Sequence, residues 1–206
     1  MKKPTIHLIN GIGGAWGNRD SRPQTTGLMA ERFRSMGLPV NEIKYNPISA
    51  RDANKSYVVN QIANQIVDET EDDDWIIGHS AGSLMIHEAC RRQWPADKYR
   101  VFHTIILFAP AMEMNAKWDD RAFQRMYVIT NPADIANTLG ALIPGHRFGR
   151  AGKFGFNISF EQSDKIHMIP CTDVKGRWNH NNMFRSQLDK WCPAIIENYN
   201  DSYPNG

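Results

Sequence analysis

Apolar and polar positions fall into short blocks along this 206-residue chain, and the period of the blocks switches repeatedly. Thr5 to Asn10 (T-I-H-L-I-N) is a compact apolar run that stops at Gly11-Ile12-Gly13-Gly14, which reads as a strand leading into a tight turn. Leu28, Met29, Phe33 and Met36 then recur at helical spacing, so a helix is expected over Gln24 to Met36, ended by Gly37. Val40 to Tyr45 alternates as a strand. Asn54 to Thr70 carries Val58, Ile62, Ile66 and Val67 on one helical face. Trp75-Ile76-Ile77 is a short apolar run, and the helical period returns with Leu84, Met85, Ala89 and Cys90 until Pro95.

Val101 to Phe108 is almost continuously apolar, the pattern of a strand covered on both faces. Met126 to Thr130 repeats it. Ile135 to Ile143 reads as a short helix, and Pro144 to Asn157, rich in glycine and basic residues, as a long loop. Lys165 to Ile169 is the last expected strand, and a helix from Asn182 to Glu197 closes the chain before a polar, flexible tail over residues 200–206. Strands alternate with helices from end to end. That order predicts a single α/β domain over residues 1–206, with a mostly parallel sheet of about six strands and helices on both faces.

Composition narrows the function classes. Hydrophobic residues make up 41% and charged residues 22%, which fits a globular chain with one full core. A net charge of +2 gives no footing for nucleic-acid binding. Three cysteines (Cys90, Cys171, Cys192) lack metal-ligand spacing and are expected as reduced thiols in a cytoplasmic setting. The apolar stretch after Met1-Lys2-Lys3 is too short for a signal peptide, and no stretch reaches the length of a membrane span. The first turn lacks the third glycine of a dinucleotide fingerprint, because position 16 is Trp16, and it lacks the phosphate-loop lysine.

The candidate chemistry sits between the third run and the helix after it, in Gly78-His79-Ser80-Ala81-Gly82. A serine between two glycines on a strand-to-helix turn is pushed out above the strand end, and the Ala81 N–H then lies at a helix N-terminus that favours negative charge. A serine hydroxyl needs a base and the base an orienting acid, and in a parallel sheet both must come from loops at the same strand ends. Of seven histidines, His7, His103 and His167 lie inside expected strands and His87 inside a helix. His79 adjoins Ser80 but should point away from it. His180, in the loop after the last strand, is the preferred base, with His146 in reserve. Asp134, shortly after Thr130, is the preferred acid, and Asp173 is its competitor. Trp16, Met112, Met114 and Trp118 lie on loops that could line an acyl pocket, and Arg147, Arg150 and Lys153 form a basic loop that could meet an anionic group.

The order Ser80, Asp134, His180 and the elbow G-H-S-A-G resemble the α/β-hydrolase superfamily, over nearly the whole chain. N-G-I-G-G resembles that family's H-G-x-G-G turn, with Asn10 in place of the usual His. V-I-T-N-P-A-D resembles its acid segment and N-H-N-N-M-F its histidine segment. The resemblance implies a three-layer sandwich reduced by two leading strands, and an oxyanion hole from the N–H groups of Ile12 and Ala81. The short stretch from Ala111 to Arg125 implies no large lid. The resemblance also implies a serine hydrolase that cleaves a carboxylic ester or thioester of a small substrate through an acyl-enzyme on Ser80, without metal or organic cofactor. The alternatives are an acyltransferase, or a binding protein on the same scaffold.

Overall fold

The fold is given by a computed structural model, which describes residues 3–11, 25–45, 52, 55–92, 100–134, 148–159, 162, 164–172 and 187–204. Six strands make one sheet: β1 (Ile6–Ile9), β2 (Val40–Glu42), β3 (Trp75–His79), β4 (Phe102–Phe108), β5 (Phe123–Thr130) and β6 (Ile166–Pro170). Their order is β2-β1-β3-β4-β5-β6, and every neighbouring pair is parallel. The helices are α1 (Thr25–Ser35), α2 (Ser56–Glu69), α3 (Gly82–Arg92), the single turn α4 (Ala151–Phe154) and α5 (Leu188–Ser202).

The strands read as near-continuous apolar runs because both faces are covered. In β3, Ile76 joins one core cluster while Trp75 and Ile77 join the other. In β4, Ile105 and Leu107 face the first, and Ile106 and Phe108 the second. The first cluster takes Val59, Ile62 and Ile66 from α2, and Met85, Ile86 and Ala89 from α3. The second takes Met29 and Phe33 from α1, and Trp191, Ile195 and Tyr199 from α5. Two layers of helix thus sandwich the sheet, with the alternation of side chains deciding which layer each residue meets.

Several boundaries differ from the sequence reading. β5 begins at Phe123, three residues early, because Phe123 pairs with Phe102 while the intervening Gln124 and Arg125 are exposed and hide the strand period. The stretch read as loop contains α4, whose Ala151 N–H bonds the Met112 carbonyl at 3.0 Å and which stops at Gly155 with φ of 83°. The final helix runs to Ser202, and Tyr203 beyond it packs its ring on His103 and Tyr199, so residues 200–203 are tied down where a flexible tail was expected. The helix expected over Ile135 to Ile143 lies outside the described residues. Among the described residues no helix is long and apolar enough to cross a membrane, and Cys90, Cys171 and Cys192 are buried and unbridged.

At the amino ends of the strands, Asp74 fastens β1 to β3. Its carboxylate accepts from the Thr5 N–H at 2.7 Å, the Glu71 N–H at 2.8 Å and His7 Nε2 at 2.9 Å. Burial alone would raise its pKa, but the bonds from His7, Glu71 and Thr5 outweigh burial and hold it below the ordinary carboxylate range. A depressed folded value means the stabilisation is complete above the unfolded pKa of about 4 and disappears as pH falls through the lower folded value. Asp74→Ala is expected to cost about 3 kcal/mol at neutral pH. Urea unfolding of both proteins at pH 7 and near pH 3 should show the gap narrowing on acidification.

Candidate active site

All six strands point the same way, so their carboxyl ends form one rim, and Ser80 follows β3 directly on it. Ser80 has φ of 54°, a left-handed conformation that costs a non-glycine residue about 1 kcal/mol or more. The neighbours over-determine it. The Ser80 N–H donates to the Phe108 carbonyl at 3.0 Å, and the Ser80 carbonyl accepts from the N–H groups of Ser83 and Ala111, both at 3.1 Å. Ala109, at the adjoining end of β4, is also left-handed, with φ of 44°, and bonds the Ile129 carbonyl. Two strained residues on neighbouring strand ends mark this rim as a place where geometry is held against local preference.

The glycines around the serine do different jobs. A side chain on Gly82 would come within 2.6 Å of the Ile9 carbonyl and 2.7 Å of the Asn10 carbonyl, so α3 starts hard against the turn after β1. One on Gly78 would meet chiefly the Ile86 methyl, a movable side-chain end. One on Gly11 would sit 2.8 Å from Ser80 Cβ and 3.3 Å from its Oγ. Gly11 therefore lies flat on the serine, which explains why the chain needs glycine there. Its own N–H is taken by Asn10 Oδ1 at 2.9 Å. The Ala81 N–H, at the start of α3, has no acceptor among the described residues.

Asp134 is reached from β5 by a turn that Asn131 builds. The Asn131 N–H bonds the Gly152 carbonyl, its Oδ1 accepts from the Ala133 N–H at 2.9 Å, and its carbonyl accepts from the Asp134 N–H at 2.9 Å. This folds Asp134 to zero exposure on the same rim as Ser80. Met112 is next to Ala111, whose N–H grips the elbow, but its own side chain is buried in the core. Trp118 is 5% exposed, with its ring packed on His87, Phe123 and Phe156. Phe123 is the amino end of β5, so these contacts make Trp118 part of the core on the side away from the rim. Lys153 rests over the Phe154 ring and Arg150 is exposed.

Five of the seven histidines are described, and four are engaged elsewhere. His7 is on Asp74, His103 stacks on Trp75 and His167 on Tyr127, each at the second residue of its strand and so toward the amino ends. His87 contacts the Lys117 carbonyl at 2.8 Å, and burial pushes its pKa down. His79 is buried in the last position of β3. His180, His146, Asp173, Ile12, Trp16 and Arg147 lie outside the described residues.

With this geometry in place, comparison with known proteins gives a consistent answer about the fold. No protein-family model matches the chain, and no curated protein matches it by sequence. Solved structures do. Alpha/beta hydrolase domain-containing protein 10 from mouse superposes with a TM-score of 0.57 at 11% identity, covering 97% of this chain and 91% of that one. The ydeN gene product from B. subtilis gives 0.56 at 12% identity over 96% and 98%. Est1E from Butyrivibrio proteoclasticus gives 0.52 at 11% identity over 95% and 86%. The chain has the α/β-hydrolase fold, in a version with six parallel strands.

Proposed function

We propose that this protein is a serine hydrolase that cleaves the ester or thioester of a small substrate through an acyl-enzyme on Ser80. The observation that carries the reading is the elbow: a left-handed Ser80 at the rim of the sheet, with no room for a side chain between it and Gly11 and the helix start of α3 behind it. A fold by itself hosts many functions, so the weight rests on this site.

In the reaction, Ser80 Oγ attacks the acyl carbonyl while a histidine takes its proton. His180 is assigned that role, since His7, His87, His103 and His167 are committed elsewhere, His79 is buried within β3, and His180 comes after β6 in the sequence. Asp134, buried past β5, orients the imidazole and stabilises its charged form. The oxyanion of the tetrahedral intermediate is met by the N–H of Ala81 and that of Ile12, donors worth about 3 kcal/mol each in comparable sites. The imidazolium then protonates the leaving alcohol or thiol. Water, deprotonated by the same histidine, releases the acid and restores Ser80. The substrate pocket is assigned to Trp16, in the sequence stretch after β1, since Met112 and Trp118 are taken up by the core.

A fluorophosphonate probe tests the reading, because it reacts quickly only with an activated serine. Rapid labelling at Ser80, together with hydrolysis of p-nitrophenyl esters, is the expected result. No labelling and no turnover on any acyl length would favour a scaffold that binds without catalysis. Labelling with poor hydrolysis but transfer to an added alcohol or amine would favour an acyltransferase.

A further inference from the structure

We propose that Tyr45 is a positioning residue for the proposed hydrolase site, holding the Asn10–Gly11 turn so that the oxyanion donors stay in register with Ser80. The proposal rests on the serine-hydrolase reading and adds to it a residue that lies 35 positions from the elbow in sequence.

Tyr45 follows β2, where the Ile43 N–H bonds the Leu8 carbonyl at 3.1 Å and keeps the chain beside β1. From there its hydroxyl donates to the Asn10 carbonyl and lies 3.3 Å from the Gly11 carbonyl. A phenol has one proton, so the Asn10 bond is the principal one and the Gly11 contact is secondary. Burial pushes the phenol pKa far above its ordinary value, so the hydroxyl remains a donor throughout the working pH range. The turn is thus gripped from three directions. Tyr45 holds its carbonyls, Asn10 Oδ1 holds the Gly11 N–H at 2.9 Å, and Gly82 leaves no slack beneath the Ile9 and Asn10 carbonyls.

The grip matters because of what rides on the turn. Gly11 lies so near Ser80 that a Cβ on it would stand 2.8 Å from the Ser80 Cβ. In a trans peptide the C=O and the N–H of the next residue lie in one plane and point in opposite directions. The Tyr45 bond to the Asn10 carbonyl therefore fixes the plane of the Asn10–Gly11 peptide, from which the chain leads on to the donor assigned at Ile12. Oxyanion stabilisation depends on such donors being placed before the charge develops. Asn10 stands here where the resembling turn has His, and its side chain closes on the turn's own backbone.

The test is Tyr45→Phe, with kcat for p-nitrophenyl acetate expressed per Ser80 that takes the fluorophosphonate label. Phenylboronic acid, which forms a tetrahedral adduct on an active serine, is measured beside it. Loss of registry is expected to lower kcat by about 10- to 100-fold with KM held within about twofold, and to weaken the boronic acid by a similar factor. A packing role alone would lower the melting temperature without this split. Wild-type labelling combined with unchanged kcat in Tyr45→Phe, or a loss confined to KM, overturns the proposal. Should Tyr45→Phe fail to fold, Asn10→Ala decides: a kcat-only loss supports the shared grip, and unchanged kcat overturns it. A wild type that takes no label removes the hydrolase reading, and this proposal with it.

Discussion

Ser80→Ala is expected to reduce ester hydrolysis by about 10⁴-fold or more while leaving the fold in place. In the proposed mechanism Oγ carries the acyl group, so without it no acyl-enzyme forms and the base and donors have nothing to activate. The fold should survive because the contacts that hold residue 80 are made by its backbone. Ser80 is held by the Phe108 carbonyl above and by the Ser83 and Ala111 N–H groups, and all three bonds use main-chain atoms that alanine retains. The left-handed strain is unchanged too, since it arises from Cβ and alanine keeps Cβ. Hydrolysis and fluorophosphonate labelling should therefore disappear together, with the thermal midpoint moving by only a few degrees. Residual turnover at about a tenth of wild type would remove Ser80 from the mechanism.

How far the sequence reveals this site depends on the range of the contacts. The elbow is legible because its signal is local: an apolar run, two glycines two residues either side of a serine, and a helical period starting at once. β3 and β4 are legible because burial on both faces leaves an unbroken apolar run. The start of β5 is hidden, because Gln124 and Arg125 are consecutive exposed residues and break the pattern a strand is recognised by. α4 is hidden because its four residues include Gly152 and follow a glycine and an arginine. Trp118 reads as a pocket residue because a loop tryptophan near a site is ambiguous in one dimension. Its partners His87 and Phe156 come from an earlier helix and a later loop. The same holds for Asp74, which looks like one more charge in an acidic run, yet its carboxylate binds Thr5 and His7 from the first strand. Tyr45 carries no motif at all. What singles it out is a hydroxyl on two carbonyls of a turn more than thirty residues away.

Gly82→Ala is expected to damage both stability and activity, and the two losses share one cause. The added methyl would stand 2.6 Å from the Ile9 carbonyl oxygen and 2.7 Å from that of Asn10, well inside contact distance. Neither obstacle is a side-chain tip that can swing aside. Both are backbone atoms of β1 and its turn, and Ile9 is registered against Gly78 of β3. Either α3 retreats from the sheet, opening the packing of Met85, Ile86 and Ala89, or the turn after β1 lifts. Overpacking of this kind costs about 3 kcal/mol. If the turn yields, Gly11 leaves Ser80, and a displacement near 1 Å at a catalytic donor can cost about 100-fold in rate. Gly37→Ala is the control. Gly37 has φ of 77° and open space around it, so alanine there should cost about 1 kcal/mol through backbone strain alone and leave kcat/KM untouched. Urea unfolding and ester hydrolysis of the two variants separate the causes. Equal stability losses with equal retained activity would mean that the close approach of α3 to the turn has no part in holding the site.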